Sequence, residues 1–373
     1  AQFGRDGAPL AAGDTLRQPE LARTLARIAA DGPAAFYAGE TAGLIVAEME
    51  AHGGLITRAD LAAYRAVRRV PVRGRYRGYE VIGMPPPSSG GVSVIQALNI
   101  LEGYDLAASG HGAAATVHLL AEALRRVFAE RAVLLGDPEA NPDLPLERLL
   151  GKAHADSQRA TIAPARATVS TVGRAAPPES PQTTHLGVVD AAGNAVALTT
   201  TLEYGYGSGI VVPGAGFLLN NEMGDFNAGP GLTDTTGLIG TEPNLARPGR
   251  RMLSSMAPTI VARDGRLVMV TGAMGGRTII STVLQTIVNV LDHGMNAQEA
   301  VDAGRVHHQW LPDRLLVEPF ALSPDTRALL VAMGHRVVTT DNRYAAQVIV
   351  VEPDGTLAGG ADRRDAGSTA AAP

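Results

Sequence analysis

Cysteine is absent from the 373-residue chain, which rules out a disulfide framework, thiolate metal sites and a cysteine nucleophile. The same absence leaves the redox compartment open. No run approaches the roughly 18 consecutive apolar residues that a membrane-spanning helix needs. Basic blocks are missing too, and with a formal net charge of −5 nucleic acid is not an expected partner. The N-terminal residues Ala1, Gln2, Phe3, Gly4 and Arg5 lack the apolar core of a signal peptide. Internal repeats are not found. What is present is 45% hydrophobic and 18% charged, the balance of a well-packed globular protein with room for one large domain or two ordinary ones.

Helical spacing runs through residues 18–30, where Leu21, Leu25 and Ile28 share a face and Pro19 sits in the first turn. A second helix is expected over 39–52, stopped by Gly53-Gly54, and a short third over 58–64. Residues 70–82 alternate and read as a hairpin. The arginines Arg65, Arg68, Arg69, Arg73, Arg75 and Arg77 around it suit a solvated strand face better than an anion site. Pro85, Pro86 and Pro87 lead through Ser88-Ser89-Gly90-Gly91 into a helix over 92–101. No P-loop lysine follows, so that segment reads as a structural turn. A long helix is expected over 113–135. Residues 159–181 are rich in Ala, Ser, Thr and Pro without periodicity, the composition of an exposed linker suited to being cut. Further on, a hairpin is expected over 258–270, helices over 277–292 and from Asn296 (capped with Glu299), and strands over 336–340 and 346–351. The tail after Gly360 is small and polar and is expected to be disordered. His307 and His308 are adjacent, so their side chains point apart, and both read as structural together with Trp310.

Chemistry concentrates in residues 181–226. A strand over 185–189 turns at Gly193 and Asn194, residues that supply the positive φ of a tight hairpin, into a strand over 194–202. A glycine-rich loop and an apolar run then end at Asn220-Asn221-Glu222-Met223-Gly224-Asp225. Hydroxyls, amides and carboxylates thus sit at the ends of strands that otherwise read as buried, and buried polar groups are costly unless paired. Glu222 and Asp225 are carboxylates at i, i+3, and two carboxylates so close need a cation. A substrate ammonium serves as one; a structural arginine is the plain alternative. No histidine lies at ligand spacing, so a metal pair is set aside. Two glycines before a helix, Gly275 and Gly276, expose main-chain amides of the kind an oxyanion hole uses; a plain tight turn is the other reading.

The motif Thr183-Thr184-His185 and its surroundings resemble the γ-glutamyltranspeptidase family closely. Gly13-Asp14-Thr15, Gly53-Gly54-Leu55-Ile56-Thr57, the Met84–Gly91 motif, Leu253-Ser254-Ser255-Met256, Gly275-Gly276 and His307-His308-Gln309-Trp310 extend the resemblance over nearly the whole chain. Taken together, their order and spacing are highly specific. The resemblance implies an α+β fold, the four-layer αββα sandwich of the N-terminal-nucleophile hydrolases. It further implies self-cleavage between Gln182 and Thr183 into two subunits, 1–182 and 183–373, that form one composite domain. Thr183 becomes the nucleophile, with its new α-amine (pKa about 8 in model compounds) as the base. Thr201 orients the Thr183 hydroxyl, Gly275 and Gly276 stabilise the oxyanion, Glu222 and Asp225 bind the α-ammonium of a γ-glutamyl group, and Ser254 and Ser255 bind its α-carboxylate. Glu203 stands where many relatives have asparagine, so it either adds a third carboxylate or points away. Residues 230–240 correspond to a lid, with Thr236 in the place of an aromatic gate.

The implied reaction passes the γ-glutamyl group of glutathione or a related compound to water or to an amino acid or peptide, with no cofactor, in the periplasm or outside the cell. Relatives are longer at the N-terminus. This chain is therefore expected to begin partway through the large subunit and to lack the arginine that clamps the α-carboxylate; either a segment is missing ahead of Ala1 or the protein is a short variant. Two alternatives stay open: an acylase of the same fold acting on β-lactam side chains or poly-γ-glutamate, and an inactive, non-enzymatic relative.

Overall fold

Helix boundaries in the computed structural model follow the stop and start signals of the sequence; the structure describes residues 3–5, 7–171, 183–233, 239–340 and 344–372. Two compact units emerge, Ala1–Arg69 with Tyr206–Asn221, and Val70–Gly205 with Glu222–Pro373. The first is helical. Pro19–Asp31 carries proline in its first turn, Glu40–His52 ends at Gly53 in the left-handed conformation, and Arg58–Ala63 is closed by a reciprocal Thr57–Asp60 capping box. Its small core joins Ile45 and Met49 to Val212 and Ala215.

The second unit is built on an antiparallel six-stranded sheet among the described residues. Its members are β1 (Val72–Tyr76), β2 (Tyr79–Gly83), β5 (Thr259–Arg263), β6 (Arg266–Ala273), β7 (Ala346–Val351) and β8 (Leu357–Ala361), with β3 (Thr183–Val189) and β4 (Ala195–Thr201) as a separate hairpin. The sheet order is β8-β7-β6-β5-β2-β1, so it interleaves strands from before and after Thr183. On one face lie α1 (Gly90–Leu101), α2 (Ala114–Leu134) and α3 (Thr278–Leu291). Met269 and Ala273 of β6 join Ile95, Leu98, Leu124, Ile279 and Val283 in one core there. On the opposite face sits the β3–β4 hairpin: Gly187 packs on Val270 and Ile349, and the His185 ring lies against Gly272. Helices, sheet and hairpin form successive layers of the expected α+β sandwich. Along the hairpin burial alternates, and the outward residues Leu186, Val188, Val196 and Leu198 are 43–53% exposed, leaving an apolar outer face of the kind a further layer covers.

Three expectations are corrected. Residues 160–171 are not a loose linker: Thr168 donates its main-chain N–H (3.1 Å) and hydroxyl (2.5 Å) to Glu122, and the Ser170 N–H donates to Asp313 at 2.8 Å. Polar side chains of α2 and a distant loop thus hold a segment whose own sequence has no pattern; residues 172–182 lie outside the description. The tail after Gly360 is likewise ordered. Leu357–Ala361 pairs with β7, Asp362 is 1% exposed and bonded to Arg305, and Arg364 donates to Glu318 at 2.6 Å. Finally, Arg77 does not belong to a solvated face: it pairs with Asp292 at 2.9 Å and caps the Glu102 and Tyr104 carbonyls. Arg73 does, in a surface pair with Glu80.

Candidate active site

Thr183 opens β3 directly opposite Thr201, the last residue of β4. The β-branched sequences TTHLGVV and AVALTTT favour this extended pairing, and the turn is closed by the Asp190 carboxylate, which accepts the Ala192 and Asn194 N–H groups at 2.9 Å. Because side chains alternate across a strand, Thr183 and Thr201 share the inward face with His185. Their hydroxyls meet, Thr183 Oγ1 donating to Thr201 Oγ1 at 3.3 Å. The His185 ring is buried and bonded through Nδ1 to Thr199 Oγ1 at 2.8 Å; burial lowers its pKa to about 4, so it is neutral at physiological pH and structural.

Beyond Thr201 the chain turns sharply at Glu203, whose φ is +70°, and the Glu203 N–H donates to Thr201 Oγ1 at 2.9 Å. The turn lays the Glu203 carboxylate over Gly224, so closely that a Cβ there would stand 2.6 Å from its oxygen. Gly224 belongs to the 3₁₀ turn Glu222–Asp225. Asn244, 4% exposed, fixes that turn: its Nδ2 donates to the Asp225 carbonyl at 2.8 Å, and its Oδ1 accepts the Leu253 N–H at 2.8 Å, tying the turn to the loop that carries Ser254 and Ser255.

That loop is clamped from behind by the Ser88-Ser89 turn. Ser254 N–H donates to the Pro87 carbonyl (3.0 Å), Ser89 N–H to the Ser254 carbonyl (2.8 Å), and Ser88 Oγ to the Met256 carbonyl (2.6 Å). Gly275 and Gly276 join β6 to α3 with φ of +129° and +55°, conformations that a side chain resists. The Gly275 carbonyl accepts the Thr278 N–H at 3.1 Å and its hydroxyl at 2.7 Å. Within a trans peptide C=O and N–H point in opposite directions, so the Gly276 N–H is directed away from the first turn of the helix.

These elements converge on an open cleft of about 370 Å³ lined by Thr183, Thr201, Glu203, Asp225, Ser254, Ser255, Met256, Gly276 and Ile279. Seven of the sequence-predicted residues therefore meet at one site. Glu222 and Gly275 are not among the lining residues: Glu222 stands at the far end of the 3₁₀ turn, where burial raises its carboxyl pKa, and Gly275 lies one residue behind Gly276, against Tyr344. Gln182 and Thr236 lie outside the described residues. Sequence reasoning missed Met256 and Ile279 as the apolar wall, and Asn244, Ser88 and Ser89 as the scaffold. The proline-serine-glycine segment was recognised as a turn, but its target 165 residues away leaves no local signal.

A second polar group, His118, Glu122 and His335, brings potential metal-ligand atoms within 4.8 Å of one another. Most of these atoms are committed to protein partners: His118 Nδ1 and His335 Nε2 are hydrogen-bonded at 2.8 Å, and Glu122 accepts from Arg125, Arg126 and Thr168, while His335 Nδ1 is buried without a partner among the described residues. His307 and His308 separate as expected, to Ser281 and Asp313. Among the described residues no helix is long and apolar enough to cross a membrane.

A helix-covered sheet with a two-stranded hairpin on its other face is the α+β sandwich of the N-terminal-nucleophile hydrolase type. The crystal structure of cephalosporin acylase from Bacillus halodurans aligns with a TM-score of 0.83 at 28% identity, over 97% of this chain and 64% of that chain. The sequence pattern of the gamma-glutamyltranspeptidase family matches residues 1–372, and the chain belongs to that family. It is 49% identical over 367 residues to a glutathione hydrolase proenzyme of Escherichia coli (strain K12), covering 98% of this chain and 63% of the relative. It is 43% identical over 366 residues to the acylase ACY 1 proenzyme of Pseudomonas sp. (strain V22), with the same two coverages. The chain thus spans less than two thirds of the length of these relatives.

Proposed function

We propose that this chain carries the active site of a self-maturing γ-glutamyl hydrolase and transferase. The observation that carries this reading is the Thr183–Thr201 hydroxyl pair, 3.3 Å apart, at a cleft lined by two carboxylates on one part and two serines on another. In maturation the Thr183 hydroxyl attacks the Gln182 carbonyl, the acyl group passes from nitrogen to oxygen, and water hydrolyses the ester. This yields a carboxylate on Gln182 and a free α-amine on Thr183, in fragments 1–182 and 183–373 that share the six-stranded sheet. In turnover the α-amine takes the hydroxyl proton as Oγ1 attacks the γ-amide carbon. The Gly276 N–H, with Gly275 holding the turn, stabilises the oxyanion. The leaving amine departs with the proton, and water or an amino acid or peptide amine then takes the acyl group from the Thr183 ester.

Asp225 and Glu203 supply negative charge for the substrate α-ammonium, with Glu222 supporting Asp225 from the far end of the 3₁₀ turn; Ser254 and Ser255 donate to its α-carboxylate. Glutathione is the proposed donor, no cofactor enters a step, and export to the periplasm or beyond follows from the resemblance. The acylase reading has its own support in the ACY 1 relative and the cephalosporin acylase structure. Two carboxylates in the cleft favour an ammonium-bearing acyl group over the neutral or acidic side chains that such a reading requires.

Mass spectrometry of the purified chain tests the proposal. Fragments 1–182 and 183–373 are expected, with Thr183→Ala remaining uncut, and the mature protein should release p-nitroaniline from γ-glutamyl-p-nitroanilide faster than from the glutaryl analogue, which lacks the ammonium. An intact chain that is fully active rejects the mechanism; a preference for the glutaryl compound selects the acylase reading; an uncut, inactive chain selects the non-enzymatic one.

A further inference from the structure

The last turn of α2 sends one arginine to the back of the cleft. Arg131 is 8% exposed, with its guanidinium near the Phe128 ring, 5.8 Å from the centroid. Nη2 donates to Ser255 Oγ at 2.8 Å, and Nε donates to Ser89 Oγ, also at 2.8 Å. Ser89 Oγ in turn donates to the Ser254 carbonyl at 2.7 Å. One planar cation thus fixes both serines that line the cleft, Ser255 through its hydroxyl and Ser254 through its main chain.

We infer that Arg131 is a positioning residue that tunes the Ser254–Ser255 pair to receive a carboxylate. The chemistry follows from the direction of each bond. A serine hydroxyl has one proton and two lone pairs. Ser255 accepts from a guanidinium, so its own proton is left to donate elsewhere, and donation from a hydroxyl is strengthened when its oxygen accepts a charge-assisted bond. Ser254 Oγ accepts the Met256 N–H at 3.1 Å, which leaves its proton available in the same way. The site therefore offers two polarised O–H donors with a buried positive charge behind one of them, an arrangement suited to an anion and wasted on a neutral amide. Sequence motifs assign no arginine to this task; the fold brings one there from 124 residues away.

This inference rests on the proposed γ-glutamyl reading and is tested with two substrates, γ-glutamyl-p-nitroanilide and the same compound with its α-carboxylate converted to a carboxamide. The wild-type chain should prefer the carboxylate. Arg131→Gln should raise KM for the carboxylate substrate by roughly tenfold to a hundredfold, the worth of one or two charge-assisted bonds, with a smaller fall in kcat. KM for the carboxamide should move by less than about twofold, because Arg131 has no charge to meet there. Arg131→Lys, which keeps the charge but cannot hold both serines, should recover part of the preference. An equal rise of KM for both substrates, an unchanged carboxylate preference in Arg131→Gln, or failure of both variants to mature where the wild type does would assign Arg131 to folding and overturn the inference while leaving the functional reading standing. A wild-type chain that cleaves neither substrate refutes the functional reading, and the inference with it.

Discussion

Replacing Thr201 by valine isolates the contribution of one hydroxyl. The side chain keeps its shape and its β-branched fit to β4, while the contacts to the hydroxyl are lost, among them the 3.3 Å bond from Thr183 and the 2.9 Å bond from the Glu203 N–H. Loss of the first frees the Thr183 hydroxyl to rotate away from the attacking geometry. A neutral hydrogen bond contributes about 1 kcal/mol net, and a donor left without its acceptor costs about 1–3 kcal/mol. With a tenfold rate change for each ~1.4 kcal/mol, kcat should fall about tenfold to a hundredfold. KM should change little, because in the proposed mechanism Thr201 aligns the nucleophile and does not hold the substrate's charged groups. The proposed self-cleavage would use the same hydroxyl, so its rate should fall in parallel, measured as the half-time for appearance of fragment 183–373. Loss of the Glu203 contact should also lower the thermal midpoint by a few degrees. Thr201→Ser, which restores the oxygen, should recover most of the kcat. If Thr201→Val matures and turns over at wild-type rates, the 3.3 Å contact plays no part in orienting the nucleophile and the reasoning fails.

Asp225→Ala should lower kcat/KM by at least about a hundredfold, since the proposed ammonium loses a charge partner, yet still self-cleave; full activity on γ-glutamyl-p-nitroanilide would give Asp225 another role. Gly275→Ala forces a side chain into φ +129°, with its Cβ 2.6 Å from Thr278 Oγ1 and Tyr344 Cγ, and should cost a few kcal/mol of stability along with activity; an unchanged urea midpoint would contradict this. Stability should also fall in acid through Glu122. Burial opposes its charge, but hydrogen bonds from Thr168 and Arg126 and the charge of Arg125 outweigh that and hold its pKa at about 2, against an ordinary 4.5. A depressed carboxylate stabilises the fold fully above its unfolded pKa and loses that contribution as pH falls towards the folded value, here roughly 3 kcal/mol between about pH 5 and 2. Urea unfolding of the wild type and Glu122→Gln at pH 7 and pH 3 should show the variant less stable at pH 7 and less sensitive to acid; parallel curves would remove Glu122 from the acid transition.

Elements with a local cause were legible. The Asn296–Glu299 capping box, the glycine stop at Gly53 and the alternation of residues 70–82 each depend on residues within a few positions, and the structure has them within one or two residues of the expected bounds. The failures share the opposite property. Leu357–Ala361, which runs into the tail through Gly359 and Gly360, carries no strand signal of its own, but it is a strand because β7 supplies its hydrogen-bond partners and Gly360 is pressed on the Ala297 carbonyl, where a Cβ would stand 2.3 Å away. Residues 163–171 have no period because they are held by Glu122, Arg125 and Asp313, side chains whose proximity is a consequence of the tertiary fold.

The candidate site divides along the same line. Thr183, Thr201, Glu203 and Asp225 are legible because a hairpin and the turn that follows it bring them together within 43 positions, and a motif can record that. The residues that shape those groups are not. Asn244 joins the acidic turn to the serine loop, and Arg131 and Ser89 aim the serines, through contacts whose partners are 9 to 165 residues distant. Yet α2 carries a signal that pattern reading passed over. Glu122, Arg125, Arg126 and Arg131 are all at most 9% exposed on a helix that has no solvated face to hold them. Charges are almost never buried without partners: Glu122 pairs with Arg125 and Arg126 on the helix itself, and the remaining hydrogen-bonding capacity of the four is met from elsewhere in the chain. Three of these residues hold the segment that leads toward Thr183, and the fourth holds the serines of the cleft. A long helix whose charges exceed its exposed positions is therefore evidence in itself for a polar site beside it, and here it leads to the residues that the motifs leave out.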